Sequence, residues 1–328
     1  MTASRDRTAG SRDRTTVPPA EFASYYGRPV VKVPVWRHDI PAYLFSGGLA
    51  AGAALLAAGA DLTGRPALRR GGRLVSLGAL GASTYFLIND LGRPARFHHM
   101  LRVAKPTSPM SMGTWLLAAF GPAAGLAAAS EFAAALPRHG GLGLARRLLP
   151  PAGRVAGLAA AAIAPALATY TGVLLADTAM PAWHDAYPDL PFLFAGSAMV
   201  AGGGAGLVAA PVAQTGPAVR LAVAGAAMET LAERRIARMG LTGEPYRTGR
   251  SARLIRAGQV LLATGTVGAL LGRRNRTVAA FSGAALLASS LLTRFGVFEA
   301  GVASGRDPRY TVLPQRERRA GQEAGTGP

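Results

Sequence analysis

The chain has 328 residues, of which 50% are hydrophobic and 16% are charged, and its formal net charge is +19 at pH 7. Its apolar residues form long runs rather than the short alternating patterns of soluble domains, so the composition indicates a multi-span membrane protein. The arginines lie in the gaps between these runs, which fits membrane topology and argues against a nucleic-acid-binding face. The chain has no cysteine, which excludes disulfides and any metal cluster held by thiolates of this chain.

Residues 1–40 form a polar N-terminal arm. They lack the apolar core of roughly 7–15 residues that a signal peptide needs. The first third of the arm is predicted to be disordered, and the part after Tyr25 is predicted to lie against the membrane or a partner.

Eight apolar segments follow, each long enough to span a membrane at roughly 20 residues. They predict an all-α transmembrane domain over residues 41–303. The sixth is the least apolar, because Glu229, Glu233, Arg234 and Arg235 lie in its second half. The segments cover residues 41–60, 74–90, 113–135, 155–176, 191–213, 219–239, 254–272 and 277–300. The tail, residues 304–328, is polar, and it is predicted to be disordered from Gln315 onward.

An even number of spans places both termini on one side of the membrane, which we call side A. The loops after the second, fourth and sixth spans lie there too. Side A carries about twice as many lysines and arginines as the opposite side, side B. The positive-inside rule therefore predicts a multi-pass protein of the cell inner or plasma membrane with cytoplasmic termini.

Ionisable groups at membrane depth are expensive, so they are candidate functional residues. Most of them lie toward side A, at the ends of the even-numbered spans or the starts of the odd-numbered ones. This asymmetry predicts a polar cavity open to side A, with walls formed by residues 91–115 and by the loop of Trp183, His184 and Asp185. The side A set is Tyr43, Asp90, Trp115, Tyr170, Asp177, Glu229, Arg294 and Glu299, and the side B set is Asp61 and Glu131.

Most of these groups also have a structural explanation. Asp90 could simply pair with Arg93 at a helix end, and Arg294 could pair with Glu299. Tyrosine and tryptophan at span ends are most often interfacial anchors. His98 and His99 could be solvated loop residues, although an imidazole there could relay protons near neutral pH.

The histidines argue against a haem held between two spans. Such a haem needs imidazoles that face inward from the apolar segments. All five histidines fall outside those segments: His38, His98, His99, His139 and His184. The chain therefore offers no metal site of its own at membrane depth.

Residues 87–115 contain LINDLGRPARFHHMLR and PTSPMSMGTW. These segments resemble the polysulfide-reductase membrane-subunit family, also called NrfD-like, whose members carry a DLGRP segment and then a Ser-Pro-Met-Ser element before the third helix. Three further stretches agree, and the resemblance spans about residues 40–316. They are PAYLFSGGLAAG at residues 41–52, YTGVLLADTAMPAW with LPFLFAGSA at residues 170–198, and RFGVFEAG with DPRYTVLPQR at residues 294–316.

The resemblance implies a subunit of eight helices that exchanges electrons with a membrane quinone, either menaquinone or ubiquinone. The quinone is an exchangeable substrate, and no haem or iron–sulfur cluster is expected on this chain. The implied partners are a ferredoxin-type iron–sulfur subunit, a molybdopterin-type catalytic subunit and membrane lipid. The chain is then either non-catalytic alone or the quinone-reactive subunit of a complex like polysulfide reductase or formate dehydrogenase.

Carried over to matching positions, the resemblance places the quinone near side A among the first four helices. Quinone chemistry moves two protons with two electrons, so groups that pass protons must touch the quinone oxygens. Asp90 and Tyr170 are the candidates for that contact, and Arg93 is the candidate to steady negative charge. Tyr43, Trp115 and His98 complete the candidate quinone site. A candidate proton path comprises Glu229, Arg294, Glu299, Glu131 and Asp61.

Two other hypotheses compete with this one. Eight helices with buried charges also suit a transporter or permease, but Pro122 and Pro165 do not form the matched pair of broken helices that transporter halves often show. The chain could also be a structural anchor with a degenerate quinone site. In that case, substitution of Asp90 and Tyr170 would be silent.

Overall fold

The computed structural model describes residues 29–325, and within that range it is built from helices without a β-strand. Eight of the helices have 20 or more residues, and three shorter or peripheral helices accompany them. In chain order they are α1 (Asp39–Leu62), α2 (Pro66–Asn89), α3 (Pro109–Ser130), α4 (Gly140–Ala176), α5 (Pro181–Asp185), α6 (Leu190–Ala209), α7 (Gly216–Ile236), α8 (Glu244–Arg247), α9 (Gly249–Leu271), α10 (Arg276–Arg306) and α11 (Arg309–Gly325). The predicted disordered part of the N-terminal arm lies outside the described residues.

Six of the described helices are long and apolar enough to cross a membrane: α1, α3, α4, α6, α9 and α10. Helix α2 meets the same standard together with the 3₁₀ segment Pro94–Leu101, from which it is bent by 108°, so the number rises to seven if this pair is one span. Helix α7 is too polar, because Arg220, Glu229, Glu233 and two further arginines interrupt it. The chain is thus a multi-pass membrane protein.

Each of the eight predicted segments overlaps one long helix, but two helices begin well before their predicted segments. Helix α2 begins at Pro66 rather than at residue 74, and α4 differs more. Helix α4 begins at Gly140 and has 37 residues, since it continues through Pro150 and Pro151, whereas the predicted segment began at residue 155. At about 1.5 Å per residue it is longer than the roughly 30 Å hydrocarbon core, so its first turns extend beyond the membrane.

The prediction of disorder from Gln315 onward was wrong within the described residues, where α11 continues to Gly325. The start of α11 is fixed, because the Asp307 carboxylate accepts a hydrogen bond of 3.0 Å from the Arg309 amide. The residues that follow, RERRAGQEA, include several good helix formers.

Helices α1 and α6 are the most buried of the long helices, and α1 packs against α2, α4, α6 and α10. Glycine makes the contact between α1 and α6 possible. A Cβ atom at Gly52 would lie 1.9 Å from the Ala198 carbonyl oxygen, and one at Gly202 would lie 2.3 Å from the Gly52 carbonyl carbon. Residues 201–206 are all small, and the glycines among them form this packing face of α6.

Candidate functional site

The loop before α3 is held by the polar residues of the SPMS motif. The Ser108 hydroxyl caps α3, accepting a hydrogen bond of 3.5 Å from the Ser111 amide. The Ser111 hydroxyl donates to the Val103 carbonyl at 2.9 Å and accepts from the Lys105 amide at 3.0 Å. The indole N–H of Trp115 donates to the same Val103 carbonyl at 3.3 Å. These residue types at this spacing therefore fix the path of the loop onto α3.

Gly113, two residues after the SPMS motif, lies against the ring of Tyr170 from α4. A Cβ atom at Gly113 would lie 2.2 Å from Cε2 of that ring and 2.8 Å from Cδ2. Any larger residue would therefore displace the tyrosine. Tyr170 is 8% exposed, so the motif and this side chain form one packed unit at the side A end of α3 and α4.

Tyr43 lies near the start of α1 and is buried in the same hydrophobic cluster as Tyr170. Its carbonyl oxygen accepts hydrogen bonds from the hydroxyls of Ser46 at 3.3 Å and Ser83 at 3.4 Å. Because Ser83 belongs to α2, this contact ties the first turns of α1 to the second half of α2. Two of the predicted site tyrosines are therefore brought into one core.

Asp90 follows the last residue of α2 and lies beside the segment that leads into α1. Its carboxylate accepts a hydrogen bond from the Arg37 backbone, and it does not form the ion pair with Arg93 that a simple helix-end role suggested. Burial raises the pKa of Asp90 above its ordinary value. The hydrogen bond from Arg37 opposes this rise, and the nearby Asp39 carboxylate adds to it. The Asn89 amide donates to Asp39 at 3.1 Å, so two acidic residues lie close together at this end. A carboxyl group with a raised pKa suits proton exchange.

Arg93, His98 and Trp115 are on the surface. Arg93 precedes the 3₁₀ segment Pro94–Leu101, and His98 lies within it. Both side chains are exposed, and the segment has no buried residue. Trp115 is 40% exposed. The structure therefore leaves these three predicted quinone-site residues on the outside, while Tyr43 and Tyr170 lie inside.

A buried arginine and a buried glutamate lie deeper in the bundle. Arg294 is 0% exposed: its Nη2 donates to the Phe194 carbonyl at 2.7 Å, and its Nη1 lies 3.5 Å from the Thr171 hydroxyl. The guanidinium also lies 3.9 Å from the centroid of the Phe194 ring, a cation–π contact. A side chain at Gly48 would come within 2.8 Å of Nη2, so α1 also approaches the guanidinium. Arg294 thus joins α10 to α1, α4 and α6.

Glu229 of α7 is also 0% exposed, and its Oε1 accepts a hydrogen bond of 2.8 Å from Thr293. It lies within electrostatic reach of Arg294. Within the described part of the chain, Glu229 Oε2 and Arg294 Nε have no hydrogen-bond partner. Buried polar atoms of this kind are normally satisfied by water or by a ligand. Arg294 does not pair with Glu299, which lies 3.8 Å from Arg250 instead.

Asp61 and Glu131, the two side B candidates, belong to one ion network at the opposite end. Arg73 is 6% exposed and lies 2.9 Å from Glu131 and 3.4 Å from Asp61. Arg69 bonds the same two carboxylates at 2.8 Å and 3.3 Å. The network opens to a cavity of ≈ 340 Å³ that Arg154 also lines.

Sequence reasoning missed Arg69 and Arg73 as partners of these carboxylates. The available signal was their spacing of four residues at the start of α2, which places both on one face.

Of the loop predicted to wall the cavity, Trp183 is instead packed into the bundle. Trp183 is 0% exposed, its indole N–H donates to the Val297 carbonyl at 2.7 Å, and its ring stacks on Trp36 at 6.2 Å between centroids. His184 and Asp185 do line a cavity of ≈ 330 Å³ at side A, together with Asp177 and the tail helix. Neither Tyr43 nor Tyr170 lines that cavity.

Comparison with protein families matches residues 29–232 to the family described as polysulphide reductase, NrfD. The chain belongs to the NrfD family. No curated protein matches the chain.

The part of this NrfD-family chain that matches runs from the segment before α1 to most of α7. It contains the motif loop, Tyr43, Asp90, Tyr170, Glu229 and the side B network. Arg294 lies beyond the matched residues, although its guanidinium contacts Thr171 and Phe194 within them.

Proposed function

We propose that the chain is the quinone-reactive membrane subunit of a multi-subunit oxidoreductase. It exchanges electrons between a docked ferredoxin-type iron–sulfur subunit and the membrane quinone pool, and a molybdopterin-type subunit carries out the reaction at the far end. The observation that carries the proposal is membership of the NrfD family across the helices that hold Tyr43, Asp90 and Tyr170. A transporter is the less favoured alternative, because that membership points to a redox complex.

The proposed quinone site lies at side A, where α1 and α3 begin and α2 and α4 end. Asp90 and Tyr170 contact or protonate the quinone oxygens, and the raised pKa of Asp90 supports its role in proton exchange. Tyr43 packs against the quinone from its buried side, and Trp115 packs against it from its exposed side. Arg93 and His98, both on the surface, steady negative charge and relay protons where the iron–sulfur subunit docks.

The proposed topology has eight spans, including α2 and α7. Helix α7 is polar, but Glu229 faces the bundle interior and its charged neighbours lie near its side A end, where they can reach the membrane surface. Both termini are then on side A, and the excess of arginine there supports a cytoplasmic side A.

A proton path from the quinone site is part of the proposal. Thr171 follows Tyr170 in α4 and lies beside Arg294, whose buried neighbour is Glu229. The unpartnered atoms of Arg294 and Glu229 would be satisfied by internal water, which could carry protons between them. Glu299 lies at the side A end of this path, and Asp61 and Glu131 lie at the side B end.

The proposal is tested by purifying the chain from its native membrane with its partners intact. We expect it to co-purify with a subunit that shows the electron paramagnetic resonance signals of iron–sulfur clusters, and a quinone-site inhibitor to raise the unfolding temperature of the chain. If no iron–sulfur protein co-purifies and the inhibitor gives no protection from heat, the proposal is wrong.

A further inference from the structure

A large cleft lies in the second half of the bundle, away from the proposed quinone site. It lies between α7 and α9, has a volume of ≈ 780 Å³, and its wall is mostly apolar, with Ala227, Leu262, Ala263 and Val267 among the lining residues. The two helices make few contacts with each other, because α7 packs mainly on α6 and α9 mainly on α10. The cleft is therefore open sideways, toward lipid.

A second, smaller hollow continues the cleft toward side A. It measures ≈ 220 Å³ and is lined by Tyr246, Arg247 and Arg256. Glu233, Ala237 and Gln259 line both spaces, so the two form one groove. The lining of the cleft extends along α7 from Ala237 to Val223, about 20 Å at 1.5 Å per residue. This length is sufficient to take a lipid chain through one leaflet of a bilayer with a hydrocarbon core of roughly 30 Å.

The side A end of the groove has an excess of positive charge. Arg234, Arg247 and Arg256 are exposed there, and none of them forms an ion pair with another described residue. The acid at this end, Glu233, accepts a hydrogen bond of 2.9 Å from Gln259. Nearby arginines differ: Arg235 lies 3.6 Å from Asp189 and Arg250 lies 3.8 Å from Glu299.

We propose that this groove binds one anionic phospholipid. The phosphate lies in the smaller hollow with Arg247 and Arg256, and an acyl chain lies in the cleft between α7 and α9. An unpaired basic pocket beside an apolar intramembrane cleft matches the two ends of such a lipid. A free anion would leave the cleft unfilled, and a neutral isoprenoid would leave the arginines unpaired. The inference rests on the charge and shape of the groove and does not depend on the proposed electron-transfer function.

The test uses the full chain, purified in a mild detergent and depleted of lipid. Its unfolding temperature is measured while phosphatidylglycerol, phosphatidylcholine, glycerol phosphate or a quinone is added, and retained lipid is counted by native mass spectrometry. We expect stabilisation by phosphatidylglycerol but not by phosphatidylcholine or glycerol phosphate. Any stabilisation by quinone comes from the proposed quinone site and should not change when the groove is altered. Each arginine near an anionic surface contributes about fivefold in affinity, so the double variant Arg247→Gln/Arg256→Gln should bind phosphatidylglycerol roughly 30-fold more weakly.

Matched controls separate the groove from general surface charge. Arg253→Gln removes an exposed arginine of α9 outside the groove and should leave the affinity unchanged. Ala263→Trp should block the cleft and reduce the retained lipid, whereas Ala257→Trp, exposed on α9 but outside the cleft, should not.

Four results would overturn the proposal. They are equal stabilisation by phosphatidylcholine, equal stabilisation by glycerol phosphate, stabilisation by quinone in place of phosphatidylglycerol, and equal loss of affinity in Arg253→Gln and the double variant.

Discussion

Replacement of Gly113 by alanine tests how closely the loop motif is coupled to the proposed site. The new Cβ atom would lie 2.2 Å from Cε2 of Tyr170, whereas ordinary contacts begin at 3.4 Å. The ring must therefore move by about 1.2 Å to restore normal packing. Overpacking of this kind costs about 1–3 kcal/mol, and the better helix propensity of alanine offsets about 0.5–1 kcal/mol of that. We expect a net loss of stability of about 0–2.5 kcal/mol.

The displacement should also affect activity, because misplacing a reacting group by about 1 Å can reduce its rate by about 10²-fold. The assay combines thermal unfolding of the purified complex with electron transfer to a soluble quinone analogue. Gly78→Ala is the matched control, since Gly78 is an exposed glycine of α2 with open space around its Cβ position. The reasoning is refuted if Gly113→Ala is as stable and as active as Gly78→Ala.

Three further substitutions test other parts of the structure. Arg73→Leu should destabilise the chain by about 3–5 kcal/mol in denaturant unfolding, because the Asp61 and Glu131 carboxylates lose a buried partner, and the exposed Arg154→Leu should have a much smaller effect. Trp183→Phe removes the donor to the Val297 carbonyl and should lower the unfolding temperature, with a cost of about 1–3 kcal/mol. Asp90→Asn should change the pH dependence of stability. The raised pKa of Asp90 means that the folded state binds its proton more tightly than the unfolded state, so wild-type stability is full at low pH and falls as pH rises from the ordinary carboxyl pKa through the folded one. The neutral asparagine lacks this loss, so thermal unfolding across pH should show the variant as the more stable protein above that window. Identical pH profiles would contradict this account.

The sequence predicted the helices well, because long apolar runs report membrane helices directly. It also placed Tyr43, Asp90 and Tyr170 at one end of the bundle, since the number of spans between two residues decides whether they share a side.

Contacts between distant segments were harder to predict. Arg73 is bound by carboxylates at the ends of α1 and α3. The spacing of Arg69 and Arg73 places both arginines on one face of α2 but does not say which carboxylates they bind. Trp183 is a similar case, since it looked like a loop residue but is buried against α10 by a hydrogen bond across 114 residues. Helix α4 was predicted to begin at residue 155, but it begins at Gly140 and continues through Pro150 and Pro151.

The exposed and buried parts of the proposed quinone site could not be separated by sequence either. Arg93, His98 and Trp115 belong to the same stretch as Gly113, residues 87–115. They lie on the surface, whereas Gly113 packs against Tyr170. Side-chain direction in a loop depends on its tertiary contacts, here the hydrogen bonds of Ser111 and Trp115 to Val103.

The central claim is tested most directly by quinone-linked electron transfer in complexes that carry Asp90→Asn or Tyr170→Phe. We predict that both variants assemble with the iron–sulfur subunit but lose transfer to quinone, while Tyr85→Phe, a substitution at an exposed tyrosine of α2, keeps it. Wild-type transfer in both Asp90→Asn and Tyr170→Phe would contradict the assignment of the site.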